Sequence, residues 1–192
     1  MPKSLTENTD PIRGERVIDA IAMTTADDSG DHAAEPAPLA LGTRNGVIKR
    51  WNRESPTTMD SWSIIDLKDD DEVLAAAEAR DEDRLVFFFT DSSLLTFDAK
   101  NVRPQGRTAG GMAGIRLAEG CSVAAFAVIP ANKVAWNYEE GDNGLFSASG
   151  AVVLTVAGDS EALPGTENGS AKVTPLEMYP TKGRGTGGVR SQ

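Results

Sequence analysis

Histidine and cysteine are almost missing from this chain of 192 residues, which holds one of each, His32 and Cys121. One cysteine excludes an intrachain disulfide framework. Its apolar neighbours, Ser122-Val-Ala-Ala-Phe126, mark it as a small buried side chain, since apolar surroundings raise a thiol pKa and suppress its reactivity. His32 stands in an acidic stretch, so neither a Ser-His-Asp constellation nor a His/Cys metal cluster can be assembled around it. There is no G-x-x-x-x-G-K-[ST] loop and no G-x-G-x-x-G between a strand and a helix, which removes specific support for nucleotide binding. No apolar run nears the ~18 residues of a membrane span, and the first 30 residues lack the apolar centre of a signal peptide. A cytoplasmic chain with no membrane partner is expected.

Acidic pairs are plentiful, in Asp69-Asp-Asp-Glu72 and Asp81-Glu-Asp83, but adjacent acids in polar sequence read as solvated faces rather than as a glycosidase pair. Asp27-Asp28-Ser-Gly-Asp31 lacks the alternation of an EF-hand loop, so no metal site is expected. No catalytic residue set emerges, and no cofactor is expected for this chain.

The length and a hydrophobic share of 40% suit an ordinary domain with a real core. The net charge of −10 argues against a nucleic-acid partner until its distribution is counted. Residues 1–40 carry 3 basic and 8 acidic groups, residues 66–83 carry 2 and 9, and residues 131–170 carry 1 and 6, so those stretches hold −17 and the remainder +7. The positive stretches, 41–65, 84–130 and 171–192, contain the Gly-rich and strand-like sequence. Charge is therefore segregated, and the whole-chain balance hides a basic surface.

Helical periodicity is nearly absent, whereas short β-rich runs bounded by Gly, Asn, Asp and Ser recur. Asp71 to Arg80 has helix propensity, but its relatives read as strand. Gly14-Glu-Arg-Val17-Ile-Asp-Ala-Ile-Ala-Met23 resembles Gly120-Cys-Ser-Val123-Ala-Ala-Phe-Ala-Val-Ile129, with Asp70-Asp-Glu-Val73-Leu-Ala-Ala-Ala as a third copy. Each is followed by a β run and turn, 38–51 and 84–97, with Thr43 matched to Thr90. Asn45-Gly46 predicts a tight hairpin with positive φ at both positions, and Asp91-Ser-Ser93 stands in the matching place. A third element repeats at an offset of 77: Val102-Arg-Pro-Gln-Gly106-Arg107-Thr-Ala-Gly110-Gly111-Met112 and Tyr179-Pro-Thr-Lys-Gly183-Arg184-Gly-Thr-Gly187-Gly188-Val189. Repeats of this size built from short strands predict an all-β, propeller-like array of about three four-stranded blades.

The expected organisation is a tail, 1–13, then a partial array, 14–192, with approximate repeats 14–69, 70–119 and 120–192. Mobile acidic loops are expected near 24–36 and 131–150. The two Gly-Arg-x-x-Gly-Gly elements have two readings: glycines that let backbone N–H groups converge on a phosphate beside an arginine fork, or tight turns whose arginines face water.

Leu39-Ala-Leu-Gly-Thr-Arg-Asn-Gly-Val-Ile-Lys-Arg50, the run Asn101 to Leu117 and Tyr179 to Val189 together resemble repeats of the C-terminal domain of gyrase and topoisomerase IV A subunits. The resemblance covers most of 14–190. It implies a β-pinwheel, a propeller variant in which neighbouring blades exchange strands, with a positive rim that binds or bends duplex DNA. It implies no chemistry in this piece: cleavage belongs to a tyrosine in a preceding region, and ATP with Mg²⁺ to other domains and the B subunit. Neither Tyr138 nor Tyr179 stands in for that tyrosine. The glutamine-arginine-arginine-glycine-glycine-lysine-glycine box of gyrase has no intact copy here, which favours the topoisomerase IV-like branch.

By that resemblance the expected DNA contacts are Arg44, Lys49 and Arg50 on the first blade, Arg103, Arg107 and Arg116 on the second, and Lys172, Lys182, Arg184 and Arg190 on the third. Each would meet phosphate, with little base readout. The implied partners are duplex DNA and, in the parent enzyme, an A-subunit dimer with the B subunit, in a nucleoid-associated bacterial setting. The alternative is a protein-interaction scaffold that meets no DNA. Trp51, Trp62 and Trp136 are expected to pack rather than to stack on bases.

Overall fold

A computed structural model describes residues 17–21, 36–54, 58, 61–68, 70–140, 146–158 and 169–191. Its frame is three successive hairpins. The first joins β1 (Leu39–Thr43) to β2 (Val47–Trp51) and is followed by β3 (Val73–Glu78). The second joins β4 (Arg84–Phe89) to β5 (Ser93–Asp98) and leads into a Gly-rich segment with short strands β6 (Pro104–Gln105) and β7 (Met112–Ala113), then β8 (Val123–Ile129). After α1 (Ala131–Val134) come an acidic hairpin, β9 (Asn137–Glu140) with β10 (Phe146–Ser149), and the third hairpin, β11 (Val152–Ala157) with β12 (Ser170–Pro175). β13 (Val189–Arg190) closes the order.

No blade is built from consecutive strands alone. The first sheet runs β3-β1-β2-β6, with β7 also on β2, and the second runs β13-β5-β4-β8. Each hairpin thus receives the strand that follows it on one edge and, on the other, the Gly-rich segment that follows the next hairpin. The registers repeat residue by residue. Ile48 faces Met112 and Leu94 faces Val189, while Arg50 pairs in parallel with Pro104 and Thr96 with Thr181. The offset of 77 seen in the sequence is therefore a shared place in the sheet. β3 and β8 carry the same irregularity, between Gly42 and Thr43 on one partner and between Phe88 and Phe89 on the other, with Val73 and Val123 at matching positions. Strand exchange of this kind defines a β-pinwheel, and the run Asp71 to Arg80 holds the strand Val73–Glu78 rather than a helix because it fills the edge beside β1.

Two expectations are corrected. The hairpin turns are not two-residue turns with two positive φ values. Gly42 pairs with Ile48 and Phe88 with Leu94, which leaves five residues between each pair; the turns themselves are the three residues 44–46 and 90–92, and only the last, Gly46 (φ +82°) or Ser92 (φ +64°), is left-handed. N–H bonds from Gly46 to Thr43 O (3.1 Å) and from Ser92 to Phe89 O (3.1 Å) mark a type I turn followed by one left-handed residue. Thr43 accordingly matches Phe89, not Thr90. Residues 131–150 are not a loop throughout, since β9 and β10 pair from Phe146↔Glu140 to Ser149↔Asn137. Most of the other expected loop, 24–36, and His32 lie outside the described residues.

Alternation on each strand sends side chains to two faces, so the core is layered. Ala40, Ile48, Leu85, Phe87, Phe97, Val102 and Phe126 lie in one buried cluster between the first and second sheets. Val86 and Leu94, from the opposite face of the second sheet, pack with Val153, Leu176 and Tyr179 of the third hairpin region. The outer face of the first sheet, Leu39, Leu41 and Trp51, is covered by Ile21, Trp62 and Ile64. Trp51 and Trp62 are thus packing residues, as expected. Among the described residues no helix is long and apolar enough to cross a membrane.

The two sheets approach most closely where Gly42 of β1 lies under Phe126 of β8. A Cβ at 42 would sit 2.4 Å from Phe126 Cγ, a distance no side chain tolerates. Gly42→Ala is expected to lower unfolding free energy by about 1–3 kcal/mol through overpacking, read from the urea midpoint. Adding Phe126→Leu should restore part of the loss, because the clash is with the ring.

Candidate nucleic-acid interface

The ten cations expected to contact phosphate occupy three kinds of place. Lys49 and Arg50 are inside the protein, 0% and 1% exposed. Lys49 Nζ donates to the carbonyls of Arg107 (2.9 Å) and Ala109 (2.6 Å), holding the Gly-rich segment against β2. Desolvation pulls its pKa below the usual lysine value, and the negative charge of Asp66 opposes that shift. Arg50 donates from Nη1 to Ala99 O and Val102 O, both 3.0 Å, and from Nη2 to Ala79 O at 2.9 Å, and it pairs with Asp81 at 2.7 Å. Its fork joins the exit of β3 to the turn after β5. These two side chains cannot reach a phosphate from these positions. A Lys-Arg pair in a β run reads as a basic surface, but strand exchange surrounds this run with carbonyls that need donors.

The second kind is exposed but engaged. Arg44, in the first hairpin turn, forms an ion pair with Glu72. Arg184 Nη1 donates to Ala113 O at 2.6 Å, and half-buried Lys182 donates from Nζ to Gly187 O at 3.1 Å. The third kind is Arg103, Arg116, Lys172 and Arg190, which are exposed, with half-buried Arg107 beside them. None of these five forms an ion pair with another described residue. Among cations outside the expected set, Arg53, Arg84 and Lys100 face carboxylates, Glu78 in the first case and Asp98 in the other two.

Backbone hydrogen bonds draw part of this set into a row. Gly114 N–H and Ile115 N–H donate to Gly46 O at 2.9 and 3.3 Å, placing the segment before Arg116 against the turn that carries Arg44. Gly185 N–H donates to Gly114 O at 2.7 Å, and Arg116 N–H to Thr186 O at 3.0 Å, placing the segment of Arg184 next in line. Arg190 follows on β13, opposite Ser93 at the turn end of the second hairpin. Arg44, Arg116, Arg184 and Arg190 therefore share the turn ends of successive blades. Arg103 does not join them: it precedes β6, which pairs at the far end of β2. Lys172 lies apart on β12, opposite Thr155.

Much of the backbone in the two Gly-Arg-x-x-Gly-Gly elements is committed to the fold. The carbonyls of Arg107, Ala109, Thr186 and Gly187 are occupied by Lys49, Arg116 and Lys182, so the glycines serve blade-to-blade contact. Beside Arg116, a cavity of about 320 Å³ is lined also by Asp91, Ser93, Cys121 and Gly188. Asp91 accepts hydrogen bonds from the Ser93 hydroxyl and N–H, and these hold its carboxyl below the usual aspartate range. Cys121 is half-buried there. Among the described residues no group of three His, Cys, Asp or Glu side chains is placed to hold a metal ion.

Replacing Lys49 or Arg50 by methionine is expected to lower stability by about 2–4 kcal/mol, because buried carbonyls lose their donors. Thermal unfolding measures that loss. For the protein that remains folded, DNA affinity should be unchanged within twofold, the outcome opposite to that for a contact residue.

The family described as DNA gyrase C-terminal domain, beta-propeller, matches residues 93–130 and 165–192. The DNA gyrase A subunits of Staphylococcus aureus strains MRSA252 and NCTC 8325 / PS 47 are 29% identical over 163 residues, covering 84% of this chain and 16% of the relative. The chain thus spans about a sixth of the curated relatives it matches. Among solved structures, a C-terminal domain of DNA topoisomerase IV aligns at TM-score 0.59 and 20% identity, covering 83% of this chain and 42% of that one. The E. coli ParC C-terminal domain aligns at TM-score 0.52 and 14% identity, covering 84% and 60%. These likenesses agree with the exchanged strands and the repeated Gly-rich returns: the chain is similar to DNA gyrase A subunits over most of its length and shares its fold with the C-terminal domains of topoisomerase IV.

Proposed function

We propose that this chain binds duplex DNA along the turn ends of its blades, by phosphate contacts that do not read sequence, and serves a type IIA topoisomerase by bending or selecting the DNA it acts on. The observation that carries this reading is the row Arg44, Arg116, Arg184 and Arg190. Backbone hydrogen bonds set the segments that carry these four arginines side by side, with Arg116 and Arg190 exposed and Arg44 and Arg184 bonded to Glu72 and Ala113 O. A row of arginines suits a polyanion, because each guanidinium fork matches the geometry of a phosphate. Arg103, Arg107, Lys172 and Lys182 are flanking contacts in this proposal.

The array is read as three repeats, 14–69, 70–119 and 120–192, in one partial domain. In the parent enzyme the strand-cleaving tyrosine and the ATP and Mg²⁺ sites lie in other domains and in the B subunit, and the enzyme works as an A-subunit dimer at the bacterial nucleoid. The glutamine-arginine-arginine-glycine-glycine-lysine-glycine box, linked in gyrase to DNA wrapping, has no intact copy in these 192 residues, which leans this reading toward the topoisomerase IV-like branch.

Binding to a fluorescent duplex of about 40 base pairs, followed by anisotropy across a salt series, tests the reading. Affinity should fall steeply with salt and ignore sequence. Arg44→Ala, Arg116→Ala and Arg190→Ala should each weaken binding alike for all sequences and flatten the logarithmic salt slope by about 0.9 for each phosphate no longer neutralised. No binding at the lowest salt overturns the proposal and leaves a protein-docking scaffold in its place.

A further inference from the structure

The third hairpin is a half-built blade. Among the described residues β11 and β12 pair only with each other, whereas β1 and β4 each carry a second partner, β3 and β8. The face turned away from the second sheet is bare: Leu154 is 61% exposed, Val156 71% and Val173 61%. Leu154 and Val173 are directly opposite each other, so these side chains form one continuous apolar strip beside an unpaired strand edge. A flat apolar edge of this kind is a template for an added strand.

The chain carries a segment that fits that slot. Val17-Ile-Asp-Ala-Ile21 is the third copy of the sequence that forms β3 and β8, but it forms no strand, and Val17 and Ile18 are 87% and 45% exposed. Its own copy of the protein holds it far from β11. Ile21 packs on the outer face of the first sheet, and the Asp19 carboxylate accepts the Ala76 N–H at the edge of β3 (3.3 Å), with two sheets between it and the third hairpin.

We infer that Val17–Ile21 of one copy of this chain adds to the free edge of β11 in a second copy. The register follows from the two completed blades. Asp98 and Pro175 each precede a 3-10 turn, at 99–101 and 176–178, and pair with Arg84 and Val152, so Val152 matches Arg84. Transferring the β4–β8 pairing sets Val17 opposite Ala157, Asp19 opposite Val156, Ala20 opposite Thr155 and Ile21 opposite Leu154. Asp19 then takes the place that Ala125 holds in β8, an exposed position where a carboxylate keeps its water. Ile21 covers Leu154. Each copy offers one donor segment and one acceptor edge, so association closes as a reciprocal pair or continues head to tail.

The test uses the 192-residue chain. Sedimentation velocity over a concentration series is expected to show mass rising with concentration, and Leu154→Glu to raise the dissociation constant roughly tenfold or more. Because Leu154 is exposed in the single copy, that variant should keep the wild-type circular dichroism spectrum and melting temperature. In a Cys121→Ser background, Ile21→Cys combined with Leu154→Cys should oxidise to disulfide-linked species of two or more chains. A monomer at every concentration overturns the inference, as does association indifferent to Leu154→Glu. A disulfide formed within one chain also overturns it and assigns the slot to the protein's own segment. Loss of DNA binding alone leaves these results unchanged, so the two proposals fail separately.

Discussion

The Gly-rich return is the constraint on which the blades depend. A hairpin here does not become a sheet until a segment made after the next hairpin comes back to its free edge, at Ile48↔Met112 in one case and Leu94↔Val189 in the other. Loop closure must therefore precede the reward of pairing, and most of the contacts that define the fold are distant in sequence. The returning segment is short of side chains because its geometry leaves no room for them. Gly111, at φ +81°, would bring a Cβ to 2.9 Å from Ile48 O, so a residue with a side chain could not lie this close to β2.

A segment that cannot interlock through side chains needs another fastening, and Lys49 supplies it. An ammonium group with no water around it is expensive, but here it meets two carbonyls that would themselves be orphaned beside β2. Arg50 does the same one residue later for Ala79, Ala99 and Val102, with Asp81 balancing the charge from a largely exposed position. The second blade solves the problem differently. Its matching strand positions are Leu95 and Thr96, and the donor comes from the returning segment itself, where Lys182 bonds Gly187 O. The carbonyls served are not the same ones, since those bonded by Lys49 correspond to Arg184 and Thr186 at the offset of 77, and Thr186 O accepts the Arg116 N–H instead.

Strand identity and repeat spacing were legible in the sequence because both are set by local pattern. The copies at Val73 and Val123 announced β3 and β8, whereas the copy at Val17 forms no strand over the described residues 17–21, and the offset of 77 is the register of β7 and β13. The burial of Lys49 and Arg50 was not legible. A basic pair in an alternating run looks the same whether its neighbours are water or carbonyls, and only the exchanged strand, supplied more than 50 residues later, decides between them. Asn45-Gly46 suits a two-residue hairpin, but the Gly46 N–H bonds Thr43 O and only Gly46 is left-handed, so the loop takes in Arg44 as well. The acidic hairpin β9–β10 escaped because its residues, Asn137-Tyr-Glu-Glu140, resemble solvated loop and pair only with each other's strand.

The arginine row inherits its geometry from the same returns. Arg116 stands beside Arg44 because Gly114 and Ile115 donate to Gly46 O, and Arg184 follows because Gly185 donates to Gly114 O. Each blade added to such an array extends the row by one turn end, without a new scaffold for the cation. One acidic stretch does reach this edge: at the first turn Glu72 pairs with Arg44 and Asp71 Oδ1 accepts the Asn45 N–H, and Asp91 of the second turn lines the cavity beside Arg116. Asp81 lies at the opposite end of the strands, beside the Arg50 fork, and Glu139 and Glu140 project on a hairpin inserted after β8. What a protein of net charge −10 leaves cationic at this end is Arg116 and Arg190, which are exposed and form no ion pair with another described residue, and charges more than about 8 Å from them at the surface are largely screened at physiological ionic strength. It is the local order of charge, imposed by strand exchange, that a phosphate backbone would meet.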